Sequence, residues 1–406
     1  SLNALALLAS GDEQYQPLVK QEAAWANTWE IRETDLHSWS AGWVTLFLAE
    51  YAVASGDRAV LPALRRLSRA IADGQSDVGT WGHRFAYRHN GILRGYGAMN
   101  QASLGLTLAL VAAREAGVND PVVDHAIERS RRFFAFYVGK GAIPYGDHHP
   151  WIQMHDDNGK ASAAAVLFDL LQSEGAVRFF SYLGTASYGV ERETGHTGNF
   201  FNMLWALPGI SRAGPAATGA WIGETAWLLD LARTWEGTFE FLGKPGFVKG
   251  AEHQYGGWDC TGAYLVGYAL PQRRTLLTGA RPSVLEPVSR RTVRQLIADG
   301  RGWTPDTGAA SYEERSETEL FQNLASWSPT VRERAAQALA KKDGDSRSLV
   351  RRLVRMAESD NRFEQLGACA AFEQLGQRGA DGVPVLVKLL EADDYWLQVQ
   401  AAEALA

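Results

Sequence analysis

Two kinds of helical pattern alternate along the first two thirds of the chain. "HSWSAGWVTLFLAEYAVASGD" is apolar nearly all round, whereas the "RAVLPALRRLSRAIADG" that follows carries arginines on one face. The alternation recurs in "MNQASLGLTLALVAAREAG" with "PVVDHAIERSRRFFAFYVGKG", in "KASAAAVLFDLLQSEG" with "AVRFFSYLGTASYG", and in "NFFNMLWALPGI" with "AATGAWIGETAWLLDLARTW". "WDCTGAYLVGYALP" opens a fifth unit. A helix without a polar face needs burial on every side, and one with a polar face needs burial on one side only. The pattern therefore predicts an inner ring and an outer ring of helices, with no strand-forming run between them. Gly turns, "GTWG" at Gly79, "GAIPYG" at Gly141 and "GTFEFLG" at Gly237, follow the outer helices and lead into the next inner one.

The last ninety residues follow a different period. "VRERAAQALA" from Val331, "FEQLGACAAF" from Phe363 and "LQVQAAEALA" from Leu397 place Ala338/Leu339, Ala371/Phe372 and Ala404/Leu405 about 33 residues apart. Each has a partner helix, in "ELFQNLA", "SLVRRLVRMA" and "VPVLVKLLEA". This stretch resembles HEAT repeats, which implies a surface for a protein partner or a spacer packed on what precedes it.

Helix pairs in the N-terminal order close naturally into an α/α toroid. The Gly-aromatic turns resemble those of terpene cyclases, protein prenyltransferase β-subunits and toroidal polysaccharide-degrading enzymes. Toroid and tail together resemble a bacterial family known mainly as a domain of unknown function. The fold class is thus all-α: a toroid over residues 1–280, a linker over 281–316 containing "GARPSVLEP" and "DGRGWTPDTG", and HEAT-like repeats over 317–406. The resemblance implies architecture far more than chemistry.

Composition narrows the functional classes. A formal net charge of -6 supplies no basic field for nucleic acid. Two cysteines, Cys260 and Cys369, exclude a disulfide framework and a Cys-rich zinc site. No apolar run is long enough to span a membrane. The first residues show neither an initiator Met nor a signal-peptide layout, and the last stop in mid-helix, so the sequence reads as trimmed at both ends. Localisation stays open, with secretion compatible if a signal was removed. Eleven of the 14 tryptophans precede residue 259, which concentrates aromatic surface in the toroid.

In such a ring the inner helices run the same way, so the residues at their starts share one mouth. The first start contributes His37 and Trp39, with Trp81 in the Gly turn that follows. The second brings Tyr96 and Asn100, the third Asp147, His148, His149, Trp151, His155, Asp157 and Lys160. The fourth brings Arg192, Glu193, His196 and Asn199, and the fifth Trp258 and Asp259. Some are ordinary helix caps: Asp157 or Asn158, Thr197 or Asn199, and Asp259 or Thr261 can accept the unpaired N–H groups of a first turn. Histidine is not favoured there, because an imidazolium opposes the helix dipole, so at least one of His148, His149, His155 and His196 is expected to touch a ligand, the alternative being loop hydrogen bonds.

Cleaving a glycosidic bond by hydrolysis needs two carboxylates, for which Asp157, Glu193 and Asp259 are the candidates. Elimination needs a base, His148 or His196, and a cation against a uronate, Lys160 or Arg192. Trp39, Trp81, Trp151 and Trp258 offer sugar-stacking faces, and His37, Tyr96, Asn100, Asp147, His149, His155 and Asn199 complete the expected binding surface. A polysaccharide or oligosaccharide is the expected ligand, and no cofactor is expected. The alternative is a non-catalytic scaffold binding a glycan or protein. Isoprenoid chemistry is disfavoured because neither an Asp-x-Asp-Asp nor an Asp-Asp-x-x-Asp run occurs. A divalent metal at "DHH" or "HDD" is a lesser alternative, since no His-Glu-x-x-His pattern occurs. Cys260, at a helix start, reads as a buried apolar residue before it reads as a nucleophile.

Overall fold

The computed structural model describes residues 1–193, 200–241, 259–301, 310–342 and 346–406. It divides into one unit of residues 1–138, 142–151 and 156–298, and a second of 139–141, 152–155 and 299–406. Among the described residues the regular structure is helical, interrupted only by isolated bridges such as Ala142 with Trp151 and Glu240 with Asp259.

In the first unit, α1 (Leu2–Ser10), α3 (His37–Ser55), α5 (Asn100–Glu115), α7 (Lys160–Leu170), α10 (Phe200–Ile210) and α12 (Thr261–Tyr268) pack in sequence, each on the next. α12 then packs on α1, and α1 on α3, so the cycle closes. This is consistent with the toroid. The outer helices α2 (Gln16–Thr28), α4 (Leu61–Asp73), α6 (Pro121–Ala135), α8 (Glu174–Ala186) and α11 (Pro215–Ala232) each pack on the inner helix before them. A short α9 (Val190–Glu193) precedes α10. Burial follows the pattern: every residue of α7 is buried, whereas α4 buries Leu64, Leu67 and Ile71 and leaves its arginines in water.

The pair α1/α2 was not legible as a ring member, because "LNALALLAS" is short and lies before the first long amphipathic partner. Gly262 lets the ring close there: a Cβ on it would stand 2.2 Å from Oδ1 of Asn3. The stretch expected as a linker is also partly structured. α13 (Arg290–Gly300) buries Val293, Leu296 and Ile297, and Val284 N–H donates to Asp169 at 2.9 Å.

The Gly turns act as pins. The Trp81 N–H donates to Ser103 Oγ on α5 at 2.9 Å, and its carbonyl accepts from Met99 just before that helix. Phe239 repeats the device, donating to Thr261 Oγ1 at 2.9 Å and accepting from Cys260 at 2.8 Å. Each turn thereby fixes where the next inner helix begins.

At the other end of the ring a buried polar chain ties elements together. Glu50 accepts the N–H groups of Leu276 (2.7 Å) and Leu277 (2.9 Å), whose carbonyls accept from Arg212. Arg212 pairs with Asp169 at 3.0 Å.

In the second unit, α15 (Glu317–Leu324), α16 (Pro329–Ala340), α17 (Ser346–Ala357), α18 (Arg362–Leu375), α19 (Val383–Leu389) and α20 (Tyr395–Leu405) follow a four-residue turn, α14 (Ala310–Glu313). They form three antiparallel pairs in which α16, α18 and α20 stack on one another. The repeated Ala338/Leu339 and Ala371/Phe372 lie in one shared core. Gly367 allows a close crossing, since a Cβ there would stand 2.0 Å from the Leu324 carbonyl oxygen.

Candidate functional site

The starts of α3 and α10 face each other across the ring. The two helices are three steps apart in the cycle, yet Trp39 stacks on Phe201 with ring centroids 5.4 Å apart. One turn deeper, Trp43 stacks on Trp205 at 5.8 Å. The i,i+4 spacing on both helices puts the four rings in two tiers across the axis. Gln101 of α5 braces the lower tier: its amide oxygen accepts from Trp205 Nε1 at 3.1 Å and its nitrogen donates to the Asn158 carbonyl at 3.0 Å. Trp205 and Phe201 are buried, but Trp39 and Trp43 keep part of their surface in solvent. On α5, one turn along from Gln101, a Cβ on Gly105 would meet nothing within 4 Å. The tiers form an aromatic floor with Trp39 and Trp43 partly open.

Trp39 is held in place through its indole. Nε1–H donates to His83 Nδ1 at 2.9 Å and the two rings stack at 6.0 Å. His37 is buried and already fully used: its Nε2 accepts the Phe85 N–H at 2.9 Å, which leaves the proton on Nδ1 to donate to the Thr34 carbonyl at 2.8 Å. Through these two bonds it orders the segment that carries Phe85.

The third loop is clamped to α5. Asn100, itself buried, donates from Nδ2 to the carbonyls of Pro144 (3.0 Å) and Gly146 (2.7 Å), and its N–H to Tyr145 (3.1 Å). The clamp leaves Asp147, His148 and His149 exposed, and Tyr96, 63% exposed, meets Tyr145 edge to face at 5.6 Å. Burial pushes the nearby Tyr137 hydroxyl up to about 12, so it stays protonated. Trp151 is half-buried, and its backbone pairs with Ala142.

Several residues expected to bind a ligand are buried. Trp81 is completely buried, its Nε1–H bound to the Ile71 carbonyl, because it belongs to the turn pin. His155 is also completely buried and falls in the second unit. Lys160 has no exposed side-chain surface and bonds Asp157 through carboxylate (2.9 Å) and carbonyl (2.6 Å). Arg192 is sealed too, binding Asp156 (3.1 Å) and the Ser187 and Gly184 carbonyls (2.7 Å each), and burial pushes its guanidinium below its usual range. Neither cation has side-chain surface open to solvent.

The N-cap position of α7 is Gly159, and the side chain that accepts its first N–H groups is that of Asp156, not Asp157 or Asn158. The Asp156 carboxylate accepts from Ala161 N–H (2.8 Å), Ser162 N–H (3.1 Å) and Ser162 Oγ (2.7 Å). Asn158 and Gly159 have φ of 55° and 76°, and this left-handed turn carries Asp156 back over the helix start. Asp157 is thereby left at the mouth with its side chain 19% exposed. Asp259 is exposed and caps α12, accepting the Thr261 N–H at 2.9 Å. Cys260 is buried, and burial pushes its thiol up to about 12, which removes it as a nucleophile. The side chain of Glu193, and His196, Asn199 and Trp258 entirely, lie outside the described residues. Among the described residues no group of three or more His, Cys, Asp or Glu side chains could hold a metal ion, so "DHH" and "HDD" do not assemble one.

The sequence reading missed Trp43, Phe201, Trp205 and Gln101 as parts of the site. A signal existed in the i,i+4 aromatic pairs on two inner helices, but on an all-round apolar helix nothing local says which face meets the axis.

A closed cycle of helix pairs with an aromatic floor, in a chain that also carries a helical-repeat unit, defines the class. Residues 1–279 match the family described as a domain of unknown function, DUF6288, and residues 317–406 match HEAT repeats. The chain belongs to the DUF6288 family. No curated protein and no solved structure matches it.

Proposed function

We propose that the first unit is a carbohydrate-active domain that takes a polysaccharide strand onto the aromatic floor and cleaves a glycosidic bond, by hydrolysis or elimination. The observation that carries the reading is the pair of aromatic tiers with Trp39 and Trp43 partly open. The apolar C–H face of a pyranose stacks on an indole, while sugar hydroxyls suit a polar rim. Asp157, Asp147, His148 and His149 supply that rim. Asp157, partly exposed, is the proposed carboxylate for proton transfer, with Glu193 its proposed partner and Asp259 and His196 in reserve.

A second reading, a glycan-binding module without turnover, is favoured by the engagement of Asp157 with Lys160 and of Asp259 with the α12 start. In either case we propose that the HEAT repeats recruit a protein partner. The test is a panel of neutral and uronate-containing polysaccharides, followed for binding, new reducing ends and unsaturated products. Trp39→Ala and Trp43→Ala should each weaken binding by about tenfold or more without loss of helix content. Binding by both variants at wild-type strength, or no polysaccharide bound at all, sinks the proposal. Asp157→Ala separates the two readings: an enzyme loses turnover and keeps binding, and a module shows no turnover to lose.

A further inference from the structure

Elimination chemistry was expected to use Lys160 or Arg192 against a uronate, and both are sealed in the ring. A different pair of cations, Arg88 and Arg94, lies on the segment that follows His83. The segment that begins with His83, the partner of Trp39, continues through Phe85 to Arg94 and encloses a cavity of about 390 Å³. Its lining includes Glu33, Tyr87, Arg88, His89 and Arg94, with His37 forming the wall toward α3. The Arg94 guanidinium lies over the Tyr87 ring, 4.4 Å from its centroid, and its nearest carboxylate is Glu33 at 3.7 Å. The ring face fixes the plane of the guanidinium and leaves its N–H edge available.

Two features favour an anion. Two arginines oppose a single carboxylate in the lining, and His37, bearing its proton on Nδ1, adds no charge. Nε of Arg94 is shielded from solvent and, among the described residues, has no hydrogen-bond acceptor. A shielded donor without an acceptor is destabilising, and an oxyanion arriving with a ligand would relieve it with a charge-assisted bond.

Building on the glycan reading above, we propose that this cavity is a carboxylate subsite, holding the uronate group of an acidic polysaccharide whose neighbouring sugars lie on the Trp39 floor. Arg94 makes the directed contact and Arg88 supplies field. The ligand class is therefore an acidic glycan and not a neutral one.

The test compares binding of oligogalacturonate, a neutral galactan oligomer of equal length, and inorganic sulfate alone. The expected result is oligogalacturonate bound about tenfold or more tightly than the neutral oligomer, with the gap closing as salt is raised. Arg94→Gln should erase that gap while leaving the neutral oligomer's affinity unchanged, and Arg94→Lys should restore part of it. Helix content and melting temperature of each variant check folding. Equal affinity for the two oligomers, unmoved by Arg94→Gln, overturns the subsite and leaves the floor reading standing as long as Trp39→Ala still weakens binding. Sulfate binding as tightly as the oligogalacturonate marks a free-anion site and also overturns the proposal. No binding of either oligomer removes both readings.

Discussion

Glu50 illustrates how a single buried group makes the ring sensitive to pH. Burial pushes its carboxyl up from 4.5 to about 7, against the opposing pull of the Leu276 and Leu277 N–H groups and Arg212. Below pH 4.5 the group is protonated whether the chain is folded or not. Between 4.5 and about 7 the unfolded chain gives up the proton while the folded chain keeps it, so stability falls as pH rises. Above that window the contribution is constant. The loss across the window is roughly 3 kcal/mol. Urea unfolding of wild type and Glu50→Gln from pH 5 to 8 checks it: the stability difference between the two should change across that range, and a constant difference refutes the assignment. Residues such as Glu50, Lys160 and Arg192 were legible only as charged positions, because desolvation depends on neighbours distant in sequence.

At the scale of elements, the helix starts were legible and their chemistry was not. The inner helices α3, α5, α7, α10 and α12 begin within a few residues of where the pattern put them, since the loss of all-round apolarity marks the boundary. The capping side chain of α7 was misread because a left-handed pair, Asn158 and Gly159, inserts a turn between Asp156 and the helix. Gly159 also sits hard against α10, where a Cβ would stand 2.4 Å from the Phe201 carbonyl oxygen. Gly159→Ala should therefore destabilise the protein by about 2 kcal/mol or more, combining left-handed strain with a backbone clash. It should also displace Phe201 and with it the upper aromatic tier. Thermal unfolding reads the first effect and tryptophan fluorescence of Trp39 the second. An unchanged melting temperature would show that α7 and α10 can separate freely.

At the scale of the whole first unit, closure depends on α1, the element least visible in the pattern. α1 packs between α12 and α3, so removing residues 1–28 would uncover apolar faces on both. The truncated chain should bind a hydrophobic dye such as ANS and unfold less cooperatively, and it should lose glycan binding because the tiers need α3 and α10 held at fixed separation. Native-like cooperativity after truncation would show that the remaining helices close without α1.

The sequence by itself determined which segments are helices, which of them are buried on all sides, and where the period changes to that of the terminal repeats. Those properties are local: they follow from side-chain polarity at helical spacing. It also put Trp39, Tyr96, Asp147, His148, His149, Asp157 and Asp259 in or just before the starts of inner helices. Only the tertiary structure decided that Trp43 and Trp205 meet across the ring, that Lys160 and Arg192 are sealed, and that Arg88 and Arg94 share a cavity. Contact and solvent exposure are set by how the chain closes on itself, as where Trp43 meets Trp205, and side-chain polarity at helical spacing does not encode them.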